Sequence, residues 1–133
     1  MSVKTVAQKL LLKPGTTVWL SHPDRVNLIE PLPEDVQLAP ELEEASVGLV
    51  FTEDEASLRA ILDAEKEHLA QPNILWVAYP KANRIAINRD SLWPILTEYG
   101  MRPNGQVAID DVWSALRFRP IKEGEAPFTG GRK

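Results

Sequence analysis

The chain has 133 residues and no cysteine, with 44% hydrophobic residues, 26% charged residues and a formal net charge of −4. Length and composition predict a soluble protein with one domain over residues 1–120, and the polar end of the chain predicts a flexible C-terminal tail over residues 121–133. The N-terminus lacks the features of a secretory signal, so we expect a cytoplasmic protein. Disulfides, thiol catalysis and thiolate metal sites are excluded, and without a signal sequence or an apolar run of ~20 residues we expect no membrane partner.

The first half of the chain contains short elements separated by proline and glycine. Apolar spacing, a β-prone run and the Pro14-Gly15 stop predict these elements in chain order. They are a helix over 5–12, a strand over 17–20, helical turns over 23–30 and a weak strand over 36–39.

The second half carries the clearest signals. The runs "VGLVFT" (47–52) and "ILWVAY" (74–79) are continuously apolar, which is typical of strands buried on both faces. A helix lies between them, and Thr52 with Glu55 matches a capping box at its start. A further helix begins at Asp90 or Ser91, with Pro94 in its first turn, and stops at Gly100. Two closing strands, 106–110 and 113–120, form a hairpin.

This alternation of apolar strands and helices predicts an α/β fold with three layers. The sheet is expected to be mostly parallel, with helices on both faces and a C-terminal antiparallel hairpin. Charge is uneven along it: residues 30–67 hold twelve Asp/Glu and two Lys/Arg, whereas residues 81–133 hold nine Lys/Arg and six Asp/Glu. These poles are either ordinary solvated faces or surfaces for a protein partner or self-association. The sequence has no basic stripe with interleaved aromatic residues, so we expect no nucleic-acid partner.

The element order resembles the methyltransferase variant of the Rossmann fold, which binds S-adenosylmethionine. The segments that carry the resemblance are "KLLLKPGTTVWL", "ASVGLVFTEDEASLRAIL", "QPNILWVAYP" and "EYGMRPNGQVAIDDVWSALRFR". The segments "WVAYPK" and "DDVWSALRFRP" also resemble a family of short, uncharacterised bacterial proteins, which brings no activity with it.

The resemblance implies a glycine-rich turn after the first strand, where the backbone approaches the cofactor. Here that turn is Ser21-His22-Pro23-Asp24, and proline also removes an amide donor. The resemblance further implies an acid after the second strand, for which Glu41 is a poor substitute. A strand and a helix of the full fold are missing as well. We therefore expect a truncated framework that holds no cofactor.

Candidate ligand-binding residues collect where parallel strands end, because ligands of such sheets bind beyond the carboxyl ends of the strands. They are His22, Tyr79, Lys81, Arg84, Asp110 and Trp113. His22 is either a general base or a turn histidine paired with Asp24 or a backbone carbonyl. The cationic loop containing Lys81 and Arg84 either holds an anion or is simply solvated.

The acidic and aromatic candidates have structural alternatives. Asp110 and Asp111 are either metal ligands together with Glu53 or the turn of the hairpin, and the hairpin turn is the simpler interpretation, so we predict no metal. Trp113 either stacks on a ligand or packs in the core with Arg117 over its ring.

No catalytic residue is identified by this pattern. The sequence predicts a non-catalytic binding or regulatory domain. The alternative is a small enzyme or binding domain for an anionic ligand, with Lys81 holding the anion and His22 or Asp110 moving a proton.

Overall fold

The computed structural model describes residues 5–30, 32–69, 71–72, 74–80 and 89–121, with residues 89 and 90 described by their backbone. Of the predicted tail, Ile121 alone falls within this part of the chain. None of the helices found there has the length and apolar character needed to span a bilayer. The elements, including two 3₁₀ helices named η1 and η2, are α1 (Val6–Lys9), β1 (Thr17–Leu20), η1 (Pro23–Ile29), β2 (Gln37–Leu38), η2 (Leu42–Glu44), β3 (Val47–Phe51), α2 (Glu55–Glu65), β4 (Ile74–Pro80), α3 (Arg89–Thr97), β5 (Met101–Ala108) and β6 (Trp113–Pro120).

The strands form one sheet in the order β2-β1-β3-β4-β6-β5. Strands β1, β2, β3 and β4 all run parallel to one another. Strand β6 runs antiparallel to both of its neighbours, β4 and β5. In the central pair, Leu49 lies opposite Trp76 and Val50 opposite Val77. The predicted parallel sheet with an antiparallel closing hairpin is therefore confirmed.

Apolar side chains are buried on both faces of the sheet, because successive residues of a strand point to opposite sides. One face packs against α2 and α3, and its buried side chains, the α2/α3 cluster, include Val50, Leu58, Leu62, Val77, Tyr79, Leu92, Leu96, Leu116 and Phe118. The other face packs against α1 and η1, and its buried side chains, the α1 cluster, include Ala7, Leu10, Val18, Leu20, Ile29, Leu49, Phe51, Trp76 and Ala78. Helical elements thus cover both faces, as the sequence predicts.

The capping box of α2 lies two residues later than predicted. The Ser57 amide donates to the Asp54 carboxylate at 2.7 Å, and the Asp54 amide donates to the Ser57 hydroxyl at 3.2 Å. Thr52 is fully buried and its amide still donates to the Ala78 carbonyl at 2.8 Å. Because Thr52 remains bonded to the sheet, it does not begin the helix, and the prediction of Thr52 as the cap is wrong.

The second helix prediction is also corrected at its start. Helix α3 already contains Arg89, so Pro94 lies inside the helix and not in its first turn. Gly100 has a φ of 80°, which confirms the left-handed stop. Strand β5 then begins at Met101, five residues before the predicted start at Gln106, because the sheet accommodates Pro103 with an irregularity in register.

Charged groups join α2 to α3 on the surface. The Arg59 guanidinium donates to Glu98 at 3.1 and 3.0 Å and to Glu55 at 2.8 Å. These hydrogen bonds from Arg59 lower the pKa of the Glu98 carboxyl below its usual value. The Tyr99 hydroxyl donates to Asp63 at 2.7 Å, and this hydrogen bond raises the pKa of the phenol.

The Glu98 interaction predicts a small pH dependence of stability. Because its folded-state pKa lies below the usual value of 4.5, the stabilisation is present above that value and is lost as pH falls through the folded-state pKa. We expect the melting temperature of Glu98→Gln to fall less steeply than that of the wild type between neutral and strongly acidic pH. Thermal unfolding followed by circular dichroism tests this, and parallel curves would contradict it.

Candidate functional site

The candidate site lies where the adjacent parallel strands β1 and β3 end. Strand β1 ends at Leu20 and β3 ends at Phe51, so the residues that follow each strand meet at one edge of the sheet. This is the position at which open α/β sheets bind ligands. In this protein, residues of the turn after β1 contact residues at the end of β3 there.

The Ser21 side chain closes the space between the two strands. Its amide donates to the Leu49 carbonyl at 3.0 Å, which continues the pairing of β1 with β3. The Phe51 amide then donates to the Ser21 hydroxyl oxygen at 2.8 Å. A serine side chain thus takes the acceptor position that a backbone carbonyl would hold in a longer ladder. The pairing of the strands is extended by a side chain where a cofactor loop would open.

His22 lies over this closure and joins it to the turn after β3. Its Nδ1 lies 2.8 Å from the Ser21 hydroxyl oxygen. The Ser21 oxygen accepts from the Phe51 amide and keeps a second lone pair, so the hydroxyl either donates to Nδ1 or accepts from it, according to the tautomer of the ring. Nε2 faces the Glu53 carboxylate at 3.4 Å. The partners of His22 are therefore Ser21 and Glu53, and the predicted pairing with Asp24 or a backbone carbonyl is wrong.

Arg25, on η1, completes the arrangement. Its guanidinium donates to the second oxygen of Glu53 at 2.6 Å. The same guanidinium lies over the rings of Phe51 and Trp113, 5.5 and 5.1 Å from their centroids, which is within the range of cation–π attraction. The cation over Trp113 is thus Arg25 and not Arg117, the residue predicted for that position.

Two edge-to-face aromatic contacts connect these groups to the core. The Phe51 ring meets the His22 ring with centroids 6.0 Å apart and the Trp113 ring with centroids 5.4 Å apart, at 87° and 88°. Such perpendicular pairs are favourable beyond the area that they bury. We call the six residues that share these contacts the edge cluster: Ser21, His22, Arg25, Phe51, Glu53 and Trp113.

Two of the predicted site residues therefore belong to one cluster, and Tyr79 does not. His22 and Trp113 lie in the edge cluster, whereas Tyr79 is buried in the α2/α3 cluster on the other face of the sheet. Its hydroxyl accepts a hydrogen bond from the Gln106 side chain at 2.9 Å. Successive side chains of a strand point to opposite faces of the sheet, which places Tyr79 on the face opposite the edge cluster.

Asp110 holds the turn between β5 and β6. One of its carboxylate oxygens accepts from the amides of Val112 and Trp113 at 2.8 and 2.7 Å. This geometry supports the turn interpretation of the Asp-Asp pair. Within the part of the chain that the structure describes, no group of three His, Asp or Glu side chains could hold a metal ion. Lys81 and Arg84 lie outside the described residues.

Most polar groups of the edge cluster pair with one another, and among the described residues the buried Nη1 of Arg25 is the exception. The negative charge of Glu53 is paired with Arg25 and faces His22, and the Ser21 oxygen is engaged by a backbone amide. The turn after β3 continues with two more acids, Asp54 and Glu55. An incoming phosphate or carboxylate would meet these acids at the start of α2, which disfavours an anion there.

Sequence reasoning missed Arg25 and Phe51 as members of the site. Phe51 lies near the end of the apolar run 47–52, which predicts a core strand, and the residue is indeed fully buried. Arg25 comes three residues after His22, and a 3₁₀ helix has three residues per turn. That spacing places both side chains on one side of η1 and is the signal that could have found Arg25.

Replacing Ser21 by alanine tests the closure of the two strands. The change leaves the Phe51 amide without its acceptor in a partly buried position, which is expected to cost about 1–3 kcal/mol. Urea unfolding of Ser21→Ala gives this value, with Ser46→Ala as a serine control outside the edge cluster. Equal stability of the two variants would contradict the structural role of the hydroxyl.

No protein-family model matches the sequence, and neither does any curated protein. Solved structures do match. A protein of the NADB-Rossmann superfamily from Streptococcus agalactiae aligns with a TM-score of 0.58 over 97% of this chain and 72% of that one, at 9% identity. The chain has a Rossmann-like fold.

Two further structures support the same conclusion about this Rossmann-like domain. A candidate tRNA (m1A22) methyltransferase from Streptococcus pneumoniae aligns with a TM-score of 0.55 over 92% of this chain and 69% of that one, at 11% identity. An uncharacterised protein from Listeria monocytogenes gives 0.53 over 97% and 72%, at 10% identity. These likenesses show a truncated, methyltransferase-like fold and nothing of the activity. The resemblance to short bacterial proteins stays a prediction.

Proposed function

We propose that this chain is a non-catalytic binding or regulatory domain, built on a Rossmann-like framework in which the chain's own side chains fill the position of the cofactor. The observation that carries the proposal is the hydrogen bond from the Phe51 amide to the Ser21 hydroxyl at 2.8 Å. It joins β1 to β3 at the point where ligands of such sheets enter.

The contacts above Ser21 support the same proposal. A ligand at this edge would have to displace His22 from Ser21 and Glu53, and Arg25 from Glu53 and two aromatic rings. Each of these contacts is modest alone, but they share partners and would be lost together. The proposal therefore assigns the edge cluster to stability and leaves the outer surfaces for binding.

The alternative, an enzyme or binding domain for an anionic ligand at this edge, has less support. Of its proposed residues, Asp110 is occupied by the turn amides. His22 lies beside Glu53, which already carries an ion pair with Arg25. Both residues proposed to move a proton are thus engaged in other contacts. The negative charge of Glu53 also offsets the positive charge that would hold an anion at this edge.

A ligand screen tests the proposal directly. We expect S-adenosylmethionine, S-adenosylhomocysteine, nucleotides and phosphosugars to leave the melting temperature of the full chain unchanged. A true ligand at 100 times its Kd would stabilise the fold by about 2.7 kcal/mol. Stabilisation by any of these compounds that is lost in Arg25→Ala, or turnover in a methyl-transfer or hydrolase assay, would overturn the proposal. A cofactor-binding methyltransferase measured in parallel is the positive control.

A further inference from the structure

An open groove lies beside α2 on the face of the sheet that carries the α2/α3 cluster. It has a volume of about 250 Å³ and is lined by Trp19 and Ser21 of the first strand and its turn, and by Ala60, Ile61, Ala64 and Glu65 of α2. Trp19 and Ile61 are partly buried, and the two alanines are exposed. Small side chains on one wall and an indole ring at the base make this surface apolar and accessible.

The groove exists because one connection of the fold is short. The link from β3 to β4 carries the eleven-residue helix α2, whereas residues 39–46, between β2 and β3, carry η2, which has three residues. No long helix therefore covers β1 on this face within the described chain. On the opposite face, α1 and η1 do cover it, and Val18 and Leu20 are buried there. Trp19 points to the side that lacks a helix.

The helix beside the groove belongs to an acidic segment of the sequence. The segment that contains α2 and η2, residues 30–67, holds twelve Asp/Glu and two Lys/Arg. One of those two bases, Arg59, is already bound to Glu55 and Glu98. Glu65 lines the groove itself. A partner with basic residues beside its apolar face would gain electrostatic attraction on approach.

We propose that this groove binds one amphipathic helix of a partner protein, in the place where the fold lacks a covering helix of its own. The helix presents a narrow apolar face to Trp19, Ile61 and the alanines, and Lys or Arg side chains beside that face approach Glu65. The inference rests on the proposed binding function and names the surface and the chemistry of the partner. Because Ser21 lines the same groove, the helix lies next to the edge cluster.

Peptide selection tests the proposal with the full chain. A phage library of 18-residue helical peptides is selected against the immobilised protein, and the affinity of the enriched peptides is measured by fluorescence polarisation. Two variants probe the groove: Ala64→Gln adds a long neutral side chain at an exposed helical position, and Glu65→Gln removes the charge. Ala108→Gln and Asp111→Asn are the controls, since both residues are exposed, lie outside residues 30–67 and do not line the groove.

The expected result is enrichment of basic amphipathic helices. Their affinity falls at least about tenfold in Ala64→Gln, as for loss of a central contact, and by a smaller, salt-dependent factor in Glu65→Gln. The two control variants keep the wild-type affinity. Absence of helical binders, or binders that are acidic, would overturn the proposal.

Two further outcomes separate this inference from the proposed function. Peptides that bind Ala64→Gln as well as the wild type would place the binding surface elsewhere, which refutes the groove and leaves a binding domain. A dimer in light scattering that Ala64→Gln dissociates would assign the groove to a second copy of the chain and would also overturn the proposal. Failure of the proposed function is detected independently, by the ligand screen.

Discussion

Replacement of Phe51 by alanine is expected to lower the free energy of unfolding by about 3–5 kcal/mol, the range for a fully buried phenylalanine. Phe51 has no exposed surface, and its ring touches His22, Trp113 and the Arg25 guanidinium. The truncation therefore opens a cavity in the α1 cluster and removes the common partner of the edge cluster. Such a loss is a large share of the about 5–15 kcal/mol that stabilises a typical domain.

The control for this prediction is Phe118→Ala. Phe118 is equally buried, at 2% exposure, but lies in the α2/α3 cluster on the other face. Urea unfolding is expected to give similar losses for both variants. The tryptophan emission of folded Phe51→Ala is expected to change because Trp113 loses its packing partner. A loss below about 1 kcal/mol in Phe51→Ala would show that neighbouring side chains fill the cavity. The Phe51 ring would then not be the residue on which the stability of the edge cluster depends.

The two central strands were predictable from the sequence because a strand buried on both faces is a continuous run of apolar residues. The runs at 47–52 and 74–79 are apolar without interruption, and they form the parallel pair β3 and β4. The start of β5 gave no such signal. Pro103 and Gly105 are residues that normally weaken a strand, and a local irregularity in register accommodates them.

Two residues of the edge cluster were predictable from the sequence and others were not. The rule that strand ends meet at one edge places His22 and Trp113 at the same edge of the sheet, as in the structure, and their role in binding a ligand stays a prediction. Tyr79 follows the same rule in sequence but points to the other face, because it alternates with Ala78. Arg25 joins the site through the turn of η1, and its partner Glu53 lies 28 residues away. Pairing over such a separation depends on tertiary packing, which one sequence does not encode as a local pattern.

The second prediction concerns Trp76, which attaches α1 to the sheet. Its indole N–H donates to the Leu10 carbonyl at 2.9 Å, and the side chain is 2% exposed. Helix α1 has four residues, far fewer than a helix needs to be stable alone. We expect Trp76→Ala to lower the free energy of unfolding by about 3–5 kcal/mol. Trp76→Phe keeps most of the ring, leaves the Leu10 carbonyl unpaired, and should cost about 1–3 kcal/mol.

Amide hydrogen exchange distinguishes loss of that attachment from general destabilisation. The amides of Lys9, Leu10 and Leu12 donate within the first helical segment, to Thr5, Val6 and Ala7. In Trp76→Phe these amides are expected to exchange faster by a larger factor than the amides of β3, because α1 opens locally while the central strands stay closed. Equal acceleration in both places would mean that α1 and the sheet unfold as one unit. In that case packing of Ala7 and Leu10, and not the indole hydrogen bond, holds the helix in place.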